Sequence, residues 1–147
     1  MPVRTFADTN IHIYAHSKSV NPNDIAKRDM ALKMLDECHL VISTQVIREF
    51  TTVMTGSKGN QSIDQVEVHV EDMIGVAEMV VEEDLKLIRK AFEIHRKYKF
   101  GFYDSLIISA ALFSDCAFLL SEDMNHGQVI DGTLTIVNPF YKQNPQL

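Results

Sequence analysis

Short apolar runs alternate with longer stretches of helical periodicity along the chain. Five runs have the length and composition of β-strands, at residues 3–8, 40–44, 77–81, 116–120 and 133–137. The stretches between them predict helices at about 22–38, directly after 44, and at about 63–75, 82–100 and 103–113. Residues 55–62, with two glycines and few apolar side chains, predict a loop.

The apolar positions also predict which helix faces are buried. Either Asn23 or Asp24 is expected to cap the first predicted helix. Its buried face has spacing i, i+3, i+4, i+7, at Ala31, Met34, Leu35 and Cys38. The helix after residue 44 is expected to pack through Val46, Phe50 and Val53, and the 82–100 helix through Ile88, Ala91, Phe92 and His95. The 103–113 helix is apolar nearly all round, which predicts full burial.

Strands that alternate with helices predict an α/β sandwich with a mostly parallel sheet. In such a sheet the functional site lies beyond the carboxyl ends of the strands, near a change in strand order. A length of 147 residues, with 46% hydrophobic and 23% charged residues, predicts one globular domain over 1–147.

The net charge of −6 argues against a protein that holds nucleic acid mainly through a basic surface. It leaves open an enzyme whose acidic cluster binds a metal ion, because the ion reverses the local charge. The opening MPVRTF lacks the apolar segment of a signal peptide, and no apolar run is long enough to span a bilayer. Two distant cysteines without a CxxC motif predict reduced thiols, so we expect a cytoplasmic protein without membrane contact.

Four acids interrupt apolar sequence where an α/β sheet places its ligands. Asp8 ends the first strand, Asp123 follows the 116–120 strand, Asp104 opens the most apolar helix, and Glu49 lies beside a buried helical stripe. Each has a simpler explanation on its own. Asp104 can cap its helix or complement the helix dipole, Asp8 can bond to the amides that follow it, and Glu49 and Asp123 can be solvated.

Taken together, the four acids indicate a metal site. Clustered carboxylates raise one another's pKa values, and burial acts in the same direction. A divalent cation relieves both effects. An all-oxygen site without Cys or His suits Mg²⁺ or Mn²⁺ better than Zn²⁺, and its chemistry would be phosphoryl transfer.

The motifs FADTNIHIYA, VIREF, FYDSLIISAAL and LLSEDMNHGQ, followed by IVNPF, resemble those of PIN-domain ribonucleases. They are most similar to the VapC-type toxins of type II toxin–antitoxin pairs, and the match runs in order from Asp8 to Phe140. The resemblance implies a compact three-layer α/β/α fold with a parallel sheet and a Mg²⁺- or Mn²⁺-dependent acidic site.

The resemblance also implies roles for individual residues. The family's four acids map to Asp8, Glu49, Asp104 and Asp123, of which Asp8, Asp104 and Asp123 would hold the metal. Supporting roles are expected for Thr9, Asn10 and Ser121. Glu122 and Asp123 cannot both point into the site from a regular strand, so Asp123 is the predicted fourth acid and Glu122 the alternative.

The implied activity is metal-assisted hydrolysis of an RNA phosphodiester that leaves a 5′-phosphate and a 3′-hydroxyl. Arg48 and Lys58 are the predicted substrate-binding residues, and Arg96, Lys97 and Lys99 are further basic candidates. A small cognate antitoxin protein and a homodimer are also implied. The sequence does not name the RNA, because specificity depends on surface shape. Two other interpretations remain open: a PIN-like module that binds RNA or protein without turnover, and another metal-dependent phosphotransfer domain.

Overall fold

A computed structural model describes residues 3–141, which form six strands and six helices. The strands are β1 Arg4–Ala7, β2 His39–Ser43, β3 Met79–Val81, β4 Phe118–Leu120, β5 Val129–Ile130 and β6 Leu134–Val137. The helices are α1 Thr9–Ala15, α2 Pro22–Glu37, α3 Thr44–Thr55, α4 Ile63–Val76, α5 Leu85–Tyr98 and α6 Phe102–Phe113.

All six strands form one sheet in the order β3-β2-β1-β4-β6-β5. Every neighbouring pair is parallel except β5 and β6, which are antiparallel. The chain fills the sheet outward from β1 through β2 to β3 and then returns to place β4 on the other side of β1. Strand order therefore reverses between β1 and β4. The predicted α/β fold with a mostly parallel sheet is confirmed.

Helix α6 lies in the core, as its composition predicts. Every residue from Ser105 to Ala111 is buried. Its two buried serines satisfy their hydroxyls on backbone carbonyls: Ser105 donates to Gly101 O at 2.8 Å and Ser109 to Leu87 O at 2.7 Å. A helix that is buried along seven consecutive residues has little freedom to rotate or slide, so the positions of the residues in its first turn are well defined.

The structure corrects four local predictions. A helix at 9–15 and a two-residue strand at 129–130 were not predicted, because each is too short to show a clear period. Asn21, rather than Asn23 or Asp24, caps α2, and its side chain accepts from the backbone N–H of Asn23 at 2.9 Å. The buried face of α5 is Leu87, Ala91 and Ile94, whereas Phe92 and His95 are exposed.

The other predicted helix faces are mostly confirmed. Ala31 is buried, and Met34, Leu35 and Cys38 pack against the core from α2. On α3, Val46 and Phe50 are fully buried as predicted, whereas Val53 is only half-buried and Met54 is the buried residue of the last turn. Between residues 3 and 141, none of the helices combines the length and the apolar character needed to cross a membrane.

Candidate active site

Asp8 lies at the point where strand order reverses. It directly follows β1, and its backbone N–H donates to Leu120 O of the neighbouring β4 at 2.9 Å. Both carboxylate oxygens accept a hydrogen bond, Oδ1 from the Thr9 N–H at 2.7 Å and Oδ2 from the Ser121 hydroxyl at 2.8 Å. The bond to the following amide, considered above as a simpler explanation, is therefore present. It fixes a carboxylate that is only 7% exposed.

Glu49 reaches the same place from α3. This helix begins directly after β2, with Ser43 as its N-cap, so its first turns lie at the carboxyl edge of the sheet. The Thr9 hydroxyl donates to Glu49 Oε1 at 2.8 Å. Thr9 thus contacts two candidate acids, since its N–H donates to Asp8 and its hydroxyl to Glu49.

Asp104 lies in the first turn of α6. The N-cap of this helix is Gly101, so Asp104 is not a helix cap, although an acid there complements the helix dipole. Its half-buried carboxylate forms no hydrogen bond and no ion pair with any residue between 3 and 141. Asp104 is therefore a negative charge that the described part of the chain does not neutralise.

The two adjacent acids after β4 have different surroundings. Asp123 faces Asn10, whose side-chain amide donates to Asp123 Oδ2 at 2.9 Å. Glu122 instead accepts from Lys27 Nζ at 2.5 Å and from the Tyr14 hydroxyl at 2.8 Å. Glu122 is thus paired with a cation, and Asp123 is not paired with one among the described residues. The assignment of Asp123 as the fourth acid stays a prediction, and this geometry favours it.

Asp8 and Asp104 are close enough to other carboxylates for those charges to raise their pKa values. Burial raises the pKa of Asp8 from 3.8 to about 6, and the nearby charges of Asp104 and Glu49 add to this, whereas the bonds from Ser121 and Thr9 act in the opposite direction. Burial also raises the pKa of Asp104, with further contributions from Asp123 and Glu49. The four side chains therefore form one acidic cluster.

The donor set of this cluster fits Mg²⁺ or Mn²⁺. Between residues 3 and 141, no three His, Cys, Asp or Glu side chains form a preformed metal cage. Magnesium does not require one, since it keeps several waters and uses one or two carboxylates together with substrate phosphates. Asp8 and Asp104 would supply those carboxylates, because both are negative, partly desolvated and without a cationic partner among these residues.

Two clefts adjoin the acidic cluster. The larger, of about 660 Å³, is lined by Asp123, Asn10 and Lys58 among others. The smaller, of about 380 Å³, is lined by Glu49, Arg48 and Tyr103 among others. Each predicted substrate-binding residue therefore lines a cleft that one acid of the cluster also lines, Lys58 with Asp123 and Arg48 with Glu49. They differ in their partners, because the Arg48 guanidinium pairs with Glu83.

The predicted supporting residues lie together in the structure. Thr9 and Asn10 begin α1, and Ser121 directly follows β4. Sequence reasoning missed Tyr14 and Lys27, which hold Glu122 away from Asp123. In the sequence, the only sign that one of the two adjacent acids has a cationic partner is that they are adjacent. That sign does not show which residue supplies the cation.

Solved structures share this fold at low sequence identity. A toxin–antitoxin complex from Klebsiella pneumoniae has a TM-score of 0.64 and 19% identity, covering 92% of this chain and 98% of that one. VapBC2 from Rickettsia felis, bound to a promoter DNA fragment, has a TM-score of 0.61 and 17% identity, covering 92% and 99%. Mycobacterium tuberculosis VapC20, a sarcin–ricin loop cleaving toxin, has a TM-score of 0.61 and 12% identity, covering 78% and 86%.

At these identities the likeness concerns the fold alone. No curated protein matches the chain in sequence. The model of one family does match, and that family is described as the PIN domain. The match spans residues 5–130, which is most of the chain and includes all four acids of the cluster. The chain belongs to the PIN domain family.

Proposed function

We propose that the protein is a Mg²⁺- or Mn²⁺-dependent endoribonuclease that acts in the cytoplasm as the toxin of a toxin–antitoxin pair. The observation that carries this proposal is the burial of the Asp8 carboxylate among other acids. Asp8 is buried at the reversal of strand order, its pKa is raised to about 6, and its charged neighbours in the cluster are acids. Such an arrangement is unfavourable for folding and favourable for binding a hydrated divalent cation.

The proposed roles follow from the contacts. Asp8 and Asp104 would hold the metal directly, Asp123 is the third predicted ligand, and Glu49 would orient a water. Thr9, Ser121 and Asn10 keep three of these acids in place through the hydrogen bonds described above. A bound ion would lower the pKa of its water and offset charge on the cleaved phosphate. The products would carry a 5′-phosphate and a 3′-hydroxyl.

The toxin assignment rests on the structural relatives, several of which are toxins or toxin–antitoxin complexes. By analogy we propose a small antitoxin that inhibits the protein. An arginine of that antitoxin could pair with the unneutralised carboxylates, because a guanidinium matches carboxylate geometry in a bidentate way. A homodimer and a single domain over 1–147 remain predictions of the same kind.

The test is cleavage of total cellular RNA with Mg²⁺ or Mn²⁺, followed by mapping of new 5′ ends. Asp104→Asn is the informative variant, because the change keeps the shape and removes a charge that has no partner among residues 3–141. Asp131→Asn is the matched control, since Asp131 lies in the β5–β6 turn and is paired with Lys90 and Lys97.

We expect discrete cuts that disappear with EDTA and with Asp104→Asn and persist with Asp131→Asn. Cutting that is unaffected by EDTA and equal in all variants would contradict the proposal. Binding of RNA without any metal-dependent cutting would instead favour the non-catalytic binding module.

A further inference from the structure

Glu122 and Asp123 are neighbours in the chain and line the same cleft beside the acidic cluster. A magnesium or manganese ion accepts either an Asp or a Glu oxygen as a ligand, so residue type does not decide which of the two binds it. Their contacts in the structure do differ. The difference depends on one lysine of α2, Lys27.

Both carboxylate oxygens of Glu122 accept hydrogen bonds from other helices. Lys27 Nζ on α2 donates to Oε2 at 2.5 Å, and the Tyr14 hydroxyl on α1 donates to Oε1 at 2.8 Å. The two donors also contact each other, because Lys27 Nζ donates to the Tyr14 hydroxyl oxygen at 3.2 Å. The Glu122 side chain is only 24% exposed, so its charge is partly desolvated and depends on Lys27 for neutralisation.

Lys27 itself is fixed by aromatic rings. Its Nζ lies 4.9 Å from the centroid of the Tyr14 ring and 5.3 Å from that of Phe140. These two rings pack edge to face, with their centroids 5.2 Å apart. The attraction of the ammonium to both rings adds to the ion pair. Among residues 3–141, Glu122 is the only acid that pairs with Lys27.

Asp123 has neutral partners instead. Its Oδ2 accepts from the Asn10 side-chain amide at 2.9 Å, and its Oδ1 has no hydrogen-bond donor among residues 3–141. Asn10 Oδ1 also accepts from the backbone N–H of Glu122 at 3.4 Å, so one side chain contacts both adjacent acids. Asp123 is close enough to Asp104 for its charge to raise the pKa of Asp104. The charge of Asp123 is therefore available to a cation at the cluster.

From these contacts we infer that Lys27 is a positioning residue of the metal site. Its ion pair with Glu122 leaves Asp123 as the acid of this pair that binds the ion. The inference rests on the proposed function and deepens it, since it adds a residue of α2 that acts through Glu122. Without Lys27, Glu122 keeps one neutral donor, Tyr14, and its carboxylate becomes a substitute ligand for Asp123 at the same cleft.

The test measures metal binding and needs no RNA substrate. Protein freed of metal with EDTA is titrated with Mn²⁺, and the electron paramagnetic resonance signal of free Mn²⁺ gives the dissociation constant. Four proteins carry Asp123→Asn: alone, with Lys27→Met, with Lys27→Met and Glu122→Gln together, and with Lys18→Met. Lys18→Met is the matched control, because Lys18 is an exposed lysine of the same cleft. Its loss changes the charge equally and leaves the ion pair of Glu122 intact.

We expect Asp123→Asn to weaken Mn²⁺ binding by about 10-fold or more, because it removes a charged ligand. Added Lys27→Met should regain about 3-fold or more, since the carboxylate of Glu122 replaces the missing one. Added Lys18→Met should regain clearly less, and Lys27→Met together with Glu122→Gln should regain nothing. In the otherwise wild-type protein, Lys27→Arg should bind Mn²⁺ as wild type does, because arginine keeps the charge and also packs on aromatic rings.

Three results would overturn the inference. Equal recovery with Lys18→Met and Lys27→Met would show an effect of charge alone. An absence of recovery with Lys27→Met would show that Glu122 does not replace Asp123. Unchanged binding by Asp123→Asn would show that Asp123 is not a ligand.

The inference and the proposed function fail in distinguishable ways. If the wild-type protein cuts RNA with Mn²⁺ and Lys27→Met regains no binding, the role of Lys27 is wrong and the nuclease stands. If the wild-type protein neither binds Mn²⁺ nor cuts RNA, both are wrong. The Lys27 side chain is 35% exposed, so Lys27→Met should remain folded, which thermal melting checks. Lys27→Gln repeats the test with a polar side chain.

Discussion

Asp8 and Asp131 are the same side chain in opposite surroundings. Each directly follows a strand, Asp8 after β1 and Asp131 after β5. Asp131 accepts from Lys90 Nζ at 2.9 Å, Lys97 Nζ at 3.2 Å and the Tyr98 hydroxyl at 2.9 Å. The bond from Lys90 is the largest cause that lowers the Asp131 pKa to about 2, whereas burial raises the Asp8 pKa to about 6.

The difference separates an acid that stabilises the fold from one that destabilises it. Asp131 links the β5–β6 turn to α5 through these bonds. The Tyr98 hydroxyl oxygen also accepts from the backbone N–H of Asp131 at 2.8 Å. Asp8 holds a charge that burial and its neighbours oppose. A group that costs stability and lies at the reversal of strand order is a candidate for function. The following expectations test this contrast, from the largest effect to the smallest.

The largest contrast is expected in RNA cleavage. Asp8→Asn should reduce the metal-dependent rate by about 100-fold or more, because metal-ion catalysis supplies several kcal/mol of charge stabilisation. Asp131→Asn should leave the rate unchanged, since Asp131 pairs with α5 and lies outside the acidic cluster. Initial rates on one RNA substrate at fixed Mg²⁺ measure both. An Asp8→Asn rate within a few-fold of wild type would remove Asp8 from the proposed site.

The next contrast concerns stability without metal. The folded-state pKa of Asp8 is raised by about two units, so the native state keeps a proton that the unfolded chain has already lost between about pH 4 and pH 6. Stability is therefore lost as pH rises through about 6. In EDTA at pH 7.5, Asp8→Asn should raise the free energy of unfolding by up to about 3 kcal/mol.

Urea unfolding at pH 7.5 and at about pH 3 measures this effect. The gain should nearly vanish at about pH 3, because Asp8 is then largely protonated in both the folded and the unfolded state. Asn can retain both hydrogen bonds of Asp8, because its carbonyl accepts from the Thr9 N–H and the Ser121 hydroxyl can turn to accept from its amide. A variant less stable than wild type at pH 7.5 would mean that burial of this charge is compensated by contacts within the chain.

A smaller effect is expected when metal is added. Mg²⁺ at ten times its dissociation constant should stabilise the wild-type protein by about 1.4 kcal/mol, through preferential binding to the folded state. Thermal unfolding in MgCl₂ against NaCl of equal ionic strength measures it. Asp131→Asn should respond like wild type and Asp8→Asn much less. Equal responses of all three proteins would place the bound ion elsewhere.

The smallest effect is the stability of the Asp131 cluster. Asp131→Asn should lower the free energy of unfolding by about 1 kcal/mol at neutral pH, since it weakens partly exposed ion pairs. Because the folded-state pKa of Asp131 is lowered, its contribution is present above about pH 4 and is lost as pH falls toward 2. Added salt should reduce the difference between variant and wild type. A variant at least as stable as wild type would contradict a stabilising role.

The sequence determined much of the fold and the composition of the site. Five strands and five helices follow from apolar periodicity, which reports burial within a short segment. The same pattern also indicated four candidate acids, because a charged residue within an apolar run can be recognised without knowledge of the strand order. These acids are Asp8, Glu49, Asp104 and Asp123. The rule that parallel strands present their carboxyl ends at one edge predicts that Asp8 and Asp123 lie near each other, whereas Glu49 and Asp104 belong to helices.

The tertiary structure decided which partner each charge has. Asn10 and Asp123 are 113 residues apart along the chain, as are Asp8 and Ser121. No local period connects such pairs, and only the pairing of β1 with β4 brings them together. The same holds for Lys27 with Glu122, which separates two adjacent acids, and for Arg48 with Glu83. Local sequence sets where a side chain is buried, whereas its ionisation depends on charges that strand order places beside it.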